Sequence, residues 1–200
     1  MNATNSRARP LSPEARKRAI LEAVLPLIVE RGTSVTTADM AIAAGVAEGT
    51  IYSVFPDKVT LIGEAVKVAV DAEPTRTSIR AIDSGGSLED QLTEASRILM
   101  DRFGRVVALF SVLRSMAATS LDTSDDARTH VIAANAEVSD AVEQLLERHR
   151  GVLRVDPKAA AAALGGLIVA SGYPLVPPDY RLDIQPLLDI LLRGISADPT

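Results

Sequence analysis

The chain has 200 residues, 47% of them apolar and 24% charged, with a net charge of −5 and no cysteine. That length makes one large domain or two small ones, and the missing thiols exclude a disulfide framework, a zinc–cysteine knuckle and a thiol nucleophile. Three Tyr, three Phe and no Trp are too few aromatics for a sandwich or barrel, and they favour helices that meet through small side chains.

His130 and His149 lie nineteen residues apart on one predicted helix, too far to share a metal, so no metal site and no cofactor is expected. The first twenty residues are polar and basic, without a signal-peptide core. The longest apolar run, Ala159 to Ala170, is twelve residues with two glycines, too short to span a bilayer. A cytoplasmic location and no membrane partner are the default expectation. Charge is distributed unevenly: Arg7, Arg9, Arg16, Lys17 and Arg18 face the single acid Glu14, a balance of +4. Residues 19–58 carry −3 and the remainder −6. A basic arm on an acidic protein suits local phosphate contact rather than non-specific coating of nucleic acid.

Residues 1–11 are expected to form a tail. Ser12 is a suitable N-cap, Pro13 a suitable first helical residue, and Ile20, Val24, Leu27 and Ile28 recur at helical spacing up to a cap at Gly32. Pro26 lies inside this helix, but the apolar face continues across it, which predicts one helix. Arg16, Lys17 and Arg18 oppose the helix dipole at that end; they read either as a solvated first turn or as cations that face phosphate.

Residues 32–62 organise the rest. Thr36 and Asp39 have the spacing of a capping box opening a helix through Met40, Ala41 and Ala44. Gly45 ends that helix because only glycine takes positive φ without cost, and Val46 plugs the turn. A second short helix runs from Ala47 to Phe55 and stops at Pro56. Asp57 caps a third, with Lys58 in its first turn. Ile51 and Phe55 face the core at a spacing of four, leaving Gly49, Thr50 and Ser53 on the opposite side, where a groove can be read. Gly49 costs about 1 kcal/mol relative to alanine inside a helix; it is either an ordinary strained position or a place where a DNA strand approaches closely.

The run Thr36-Thr37-Ala38-Asp39-Met40-Ala41, then Ala44-Gly45-Val46, Gly49-Thr50-Ile51-Tyr52, Phe55-Pro56-Asp57-Lys58 and Leu61 resembles the N-terminal domain of the TetR family of transcriptional repressors over residues 14–62. The resemblance implies a helix-turn-helix in which Thr36 binds a phosphate through its hydroxyl and helix N-terminus. Ala47, Glu48 and Thr50 would lie at the major groove, Tyr52 would donate to a phosphate, and Lys58 would reach the adjacent backbone. Glu48 departs from the family, which often has a base there. It either accepts from a cytosine amino group or points away and lowers non-specific affinity.

Further along, the Asp57 helix continues to Val70 and connects residues 12–56 to a second unit at 87–194, with 57–73 as the connection. Glu73-Pro74 is expected to end it, and residues 75–88 read as a loop. Helical spacing resumes at Asp90, with a break expected at Phe103-Gly104 before a second apolar helix to Ala117. An acidic loop, Leu121 to Asp126, precedes a long helix whose face runs Val131, Ala134, Val138, Val142, Leu145 and His149. Pro157 starts another helix, and Leu182 to Leu192 form the last.

The fold expected is all-α: an N-terminal three-helix DNA-binding domain joined to a larger helical effector and dimerisation domain. The last two helices carry more apolar surface than a small domain needs, and the resemblance implies a four-helix homodimer contact, assigned here to Leu164, Leu167, Ile168, Leu187, Leu188 and Leu191. It also implies an effector pocket, for which Met100, Phe103, Phe110, Met116 and Tyr173 are the candidates. The function expected is a homodimeric repressor of palindromic double-stranded operators, released by a small molecule, and not an enzyme. Two alternatives remain on the residues alone. One is a helical interaction protein with weak or lost DNA binding, for which Glu48 speaks. The other is a small enzyme acting on a ligand in the C-terminal domain, which lacks a nucleophile–base set, a phosphate loop and HExxH.

Overall fold

A computed structural model describes residues 12–116, 125–173, 176, 177, 179 and 181–195, and every regular element among them is helical. They group into two compact units. The first holds the described residues up to Val68 together with the last turns of α6 from Leu109; the second holds the rest. No helix among the described residues is long and apolar enough to cross a membrane.

In the first unit, α1 is Pro13–Arg31. The Ser12 hydroxyl accepts from the Ala15 N–H at 3.2 Å, and Pro13 occupies the first turn, where its missing N–H leaves no bond unmade. Pro26 stays inside the helix on its exposed side, so α1 is a single element as its apolar pattern predicts. The buried stripe is Ile20, Leu21, Val24, Leu25 and Ile28; Leu27, expected on it, is only half-buried. Each such burial is worth about 1.5–3 kcal/mol. Gly32 caps α1 with positive φ, but its φ of 60° and ψ of −131° lie outside the left-handed helical region, and it leads into a 3-10 turn over Gly32–Ser34. α2 (Thr37–Ala44) packs between α1 and α3 (Glu48–Val54). Met40, Ala41, Ile51 and Phe55 close the core there with Leu61 and Ile62 of α4 (Lys58–Val70).

In the second unit the sequence reading needs three corrections. Residues 75–88 are not all loop: α5 spans Glu73–Arg80, with Pro74 in its first turn and Thr75 and Ile79 buried four apart. Pro74 starts a helix here instead of stopping one, since a first-turn residue needs no N–H acceptor. Second, no break occurs at Phe103-Gly104: α6 is continuous over Leu88–Met116, opened by a Ser87–Asp90 capping box. A helix interior tolerates one glycine when its neighbours hold the pattern, and Leu92, Ala95, Leu109 and Val112 do. Third, Leu164, Ile168, Leu187, Leu188 and Leu191 are buried within the single chain, where α8 (Pro157–Gly172) packs on α9 (Ile184–Ile195). Leu167 is half-buried. Apart from Leu167, these residues belong to the chain's own core and have no surface left to offer a second copy.

α7 (Asp125–Glu147) packs against α5 and α8, burying Ala134, Val138, Ala141, Val142, Leu145 and Leu146. Val131 is half-buried, and His149 follows the helix in a turn. The acidic loop expected before α7 lies largely outside the described residues, as does the tail before Ser12. Arg76 ties α5 to α7 through Glu137 at 2.6 Å.

Candidate nucleic-acid interface

The α2–turn–α3 geometry follows from its caps. Thr36 Oγ1 accepts from the Asp39 N–H at 3.1 Å, and the Thr36 N–H donates back to Asp39 Oδ2 at 2.9 Å. The Thr36 hydroxyl also donates to Asp39 Oδ2 at 2.7 Å. These bonds from Thr36, with the nearby Arg31 and Lys58 charges, hold the Asp39 carboxyl below its ordinary value. At the other end Gly45 is left-handed, with φ 64° and ψ 31°. The Val46 N–H reaches Ala41 O at 3.0 Å and the Gly45 N–H reaches Ile42 O at 3.1 Å, a Schellman turn that fixes the path into α3.

Helix α3 starts differently. Ala47 is extended and gives no side-chain cap, so Glu48 stands as an exposed acid in the first turn. There its carboxylate complements the positive end of the helix. Gly49 and Ser53 are exposed and Thr50 half-buried, while Ile51 and Phe55 point inward as expected. A Cβ added at Gly49 would meet nothing within 4 Å, so packing within the chain does not require glycine there.

Tyr52 is 55% exposed, and its hydroxyl donates to Thr37 Oγ1 at 3.2 Å, bridging α3 to the first residue of α2. Thr37 therefore joins the candidate site, although the sequence reading left it out. Its hydroxyl accepts from Tyr52 and keeps its own proton, whereas the Thr36 proton is committed to Asp39. The signal was present in the adjacent threonines: one caps the helix and its neighbour stays available.

The cations are less free than their types suggest. Lys58 Nζ donates to Thr33 O at 2.9 Å and to Val35 O, tying the start of α4 to the turn before α2. Lys17 Nζ pairs with Glu64 at 3.0 Å and lies 5.8 Å from the centre of the Phe55 ring. Glu64, held by Lys67 and Lys17, has its carboxyl below the usual range. Arg16 is exposed. Asp57 caps α4 by accepting from the Thr60 N–H at 2.7 Å, which lowers its carboxyl as well.

Of the expected effector residues, Phe103 lines a cavity of about 280 Å³ among α6, α7 and α8. Met100, Phe110, Met116 and Tyr173 do not line it. Met100 is half-buried and Tyr173 is 48% exposed, while Phe110 and Met116 fall in the first unit. The cavity is lined instead by residues that periodicity marks only as core, together with Arg102 and Asn135.

Residues 20–65 match the family model described as bacterial regulatory proteins, tetR family. Among solved structures, the TetR transcriptional regulator SCO0520 from Streptomyces coelicolor is similar, with 25% identity over 90% of this chain and 98% of that one, at a TM-score of 0.59. The fold is shared with the fatty acid degradation regulator FadR from Bacillus halodurans, with 18% identity over 92% of this chain and 97% of that one, at a TM-score of 0.56. It is shared also with the TetR family transcriptional regulator PfmR from Thermus thermophilus, with 21% identity over 88% and 97% of the two chains and a TM-score of 0.52. No curated protein matches the chain. Residues 20–65 thus match the tetR family model at the helix-turn-helix, and the all-helical chain as a whole is similar to a solved TetR transcriptional regulator.

Proposed function

We propose that the protein is a homodimeric repressor that reads a palindromic operator through the exposed face of α3 and is released by a small molecule in the second unit. The observation that carries this reading is Gly49. It weakens a seven-residue helix with no packing reason inside the chain, beside the exposed Tyr52 and Ser53. A helix bared at that point accepts a DNA backbone or base edge at close range. Gly49, Thr50 and Ser53, with Ala47 and Glu48 at the helix start, form the groove-facing side. The helix start at Thr36, with Thr37, Tyr52 and Lys58, addresses phosphates; Arg16 and Lys17 stand at the flank. In this division residues 12–56 read DNA, 57–73 connect, and 87–194 hold the effector and the second copy.

Twofold pairing is supported by the outward side of α8. Outside the cavity lining, Ala163, Ala170 and Tyr173 are exposed. Ile190 of α9 is 54% exposed. A single reading head buries too little DNA surface for tight specific binding, and two heads address two half-sites.

Fluorescence anisotropy on DNA from the protein's own gene neighbourhood tests the reading. Binding should weaken with salt by a log–log slope of about −0.9 for each neutralised phosphate. Tyr52→Phe should weaken it up to about tenfold while leaving the fold intact. A dimer that binds no such fragment at low salt would remove the repressor reading.

A further inference from the structure

The cavity among α6, α7 and α8 has one cationic group in its lining, Arg102, and no acid. The Arg102 side chain is only 8% exposed. Its Nη2 donates to the Val70 carbonyl at 2.8 Å and its Nη1 to Asn135 Oδ1 at 3.0 Å, both neutral acceptors. Its Nε is buried with no acceptor. No carboxylate among the described residues forms an ion pair with it. Asp71 acts on it at longer range, against Arg105 of the same sign. A buried cation without a contacting counter-charge is costly, and burial pushes its pKa down for that reason.

Apart from Asn135 and Ser139, the rest of the lining is apolar or small and includes Leu99, Phe103, Val142, Ile168, Val169 and the Gly165–Gly166 pair. Gly172 lets the Phe103 ring close one side, since a Cβ there would come within 2.7 Å of it. The available volume, about 280 Å³, corresponds to roughly nine groups of water size at about 30 Å³ each. We propose that this cavity takes a small organic monocarboxylate with an apolar body of about seven or eight carbons. Its carboxylate would neutralise Arg102 and its body would lie against the α7 and α8 walls. The inference rests on the reading of the second unit as an effector domain and names the chemical class of the effector. Recognition follows from the residues present: the guanidinium supplies the charge complement and planar donors, and Asn135 and Ser139 are the other polar side chains of the lining.

Calorimetric titration of the intact protein with octanoate, octanamide, 1-octanol and octylamine tests it, with operator binding measured separately on the same samples. Octanoate should bind at least about tenfold more tightly than octanamide or octanol, and octylamine least, the difference expected of one charge-assisted contact. Arg102→Met should abolish the preference for octanoate over octanol. Because that change also removes the Val70 and Asn135 bonds, Gly165→Leu provides an independent arm. A Cβ there meets nothing within 4 Å, so the side chain can enter the cavity, and binding of octanoate should be lost with Arg102 in place. Octanoate binding no tighter than octanol overturns the proposed class while leaving an effector cavity standing. Absence of binding by all four compounds, with operator binding intact, overturns both the ligand and the effector cavity but not the DNA-binding assignment.

Discussion

Gly49 costs helix propensity without a packing reason inside the chain. Alanine there would meet no atom within 4 Å and would gain up to about 1 kcal/mol of helix propensity. Gly49→Ala should therefore raise the melting temperature and, if α3 reads the groove as proposed, lower operator affinity as well, because the added methyl would stand on the proposed contact face. Calorimetry and anisotropy on one preparation check it; a variant that is more stable and binds equally well would deprive α3 of its reading role. Asp39 and Asp57 carry the opposite kind of information. Both carboxyls are lowered by the N–H and hydroxyl groups they accept from, Thr36 for Asp39 and Thr60 for Asp57. The unfolded chain, with ordinary values near about 4, then binds protons before the folded one does. Their contribution is full above that pH and is lost as the pH falls through the lowered folded values. Denaturant titrations between pH 6 and 2 should show stability falling with acid. Asp39→Asn with Asp57→Asn should flatten that fall, and an unchanged slope in the double variant would rule these caps out as its source.

At the scale of elements, α6 makes the sharpest prediction. Gly104 is exposed, has open space at its Cβ and sits in the interior of a 29-residue helix. If the helix is continuous there, Gly104→Ala stabilises it by about 0.5–1 kcal/mol. If the chain bent at that point, alanine would lower stability, so the sign of the melting shift decides. The same helix shows where sequence signals stop. Ser12-Pro13, the Thr36–Asp39 box, Gly45 and Asp57 act within a turn of where they stand, and α1 to α4 could be read from them. Pro74 and Gly104 carry the same letters as real helix breaks but sit among buried partners, Thr75 and Ile79 in one case and Leu109 and Val112 in the other. The burial of those neighbours depends on other helices and is invisible to a local pattern. Arg102 was missed for a related reason: an arginine in a helix reads as surface until its neighbours are known. Phe103, one residue on, could be chosen as a cavity residue by type alone.

For the whole molecule, the decisive distinction lies within α9. Periodicity shows an apolar stripe through Leu187, Leu188 and Leu191 but cannot say whether it meets the same chain or a second copy. Those three leucines are fully or almost fully buried in one protomer, whereas Ile190 is 54% exposed beside the exposed charges Asp189 and Arg193. The two classes should fail differently. Leu187→Ala removes core volume and should cost about 2–5 kcal/mol of stability, which appears as an earlier unfolding transition at any protein concentration. Ile190→Glu places a charge on a surface that one chain leaves open, so the isolated protomer should keep its helical signal. In a homodimer built on that face, the same charge is buried without a partner and association should weaken by several kcal/mol. Sedimentation across a concentration series should then show Ile190→Glu dissociating where the parent remains dimeric. If two half-sites are read together, as proposed, its operator affinity should fall far more than its melting temperature. If Ile190→Glu sediments as a dimer of parental strength, the second copy sits elsewhere, and the exposed side of α8 around Ala163 and Ala170 is the next surface to change.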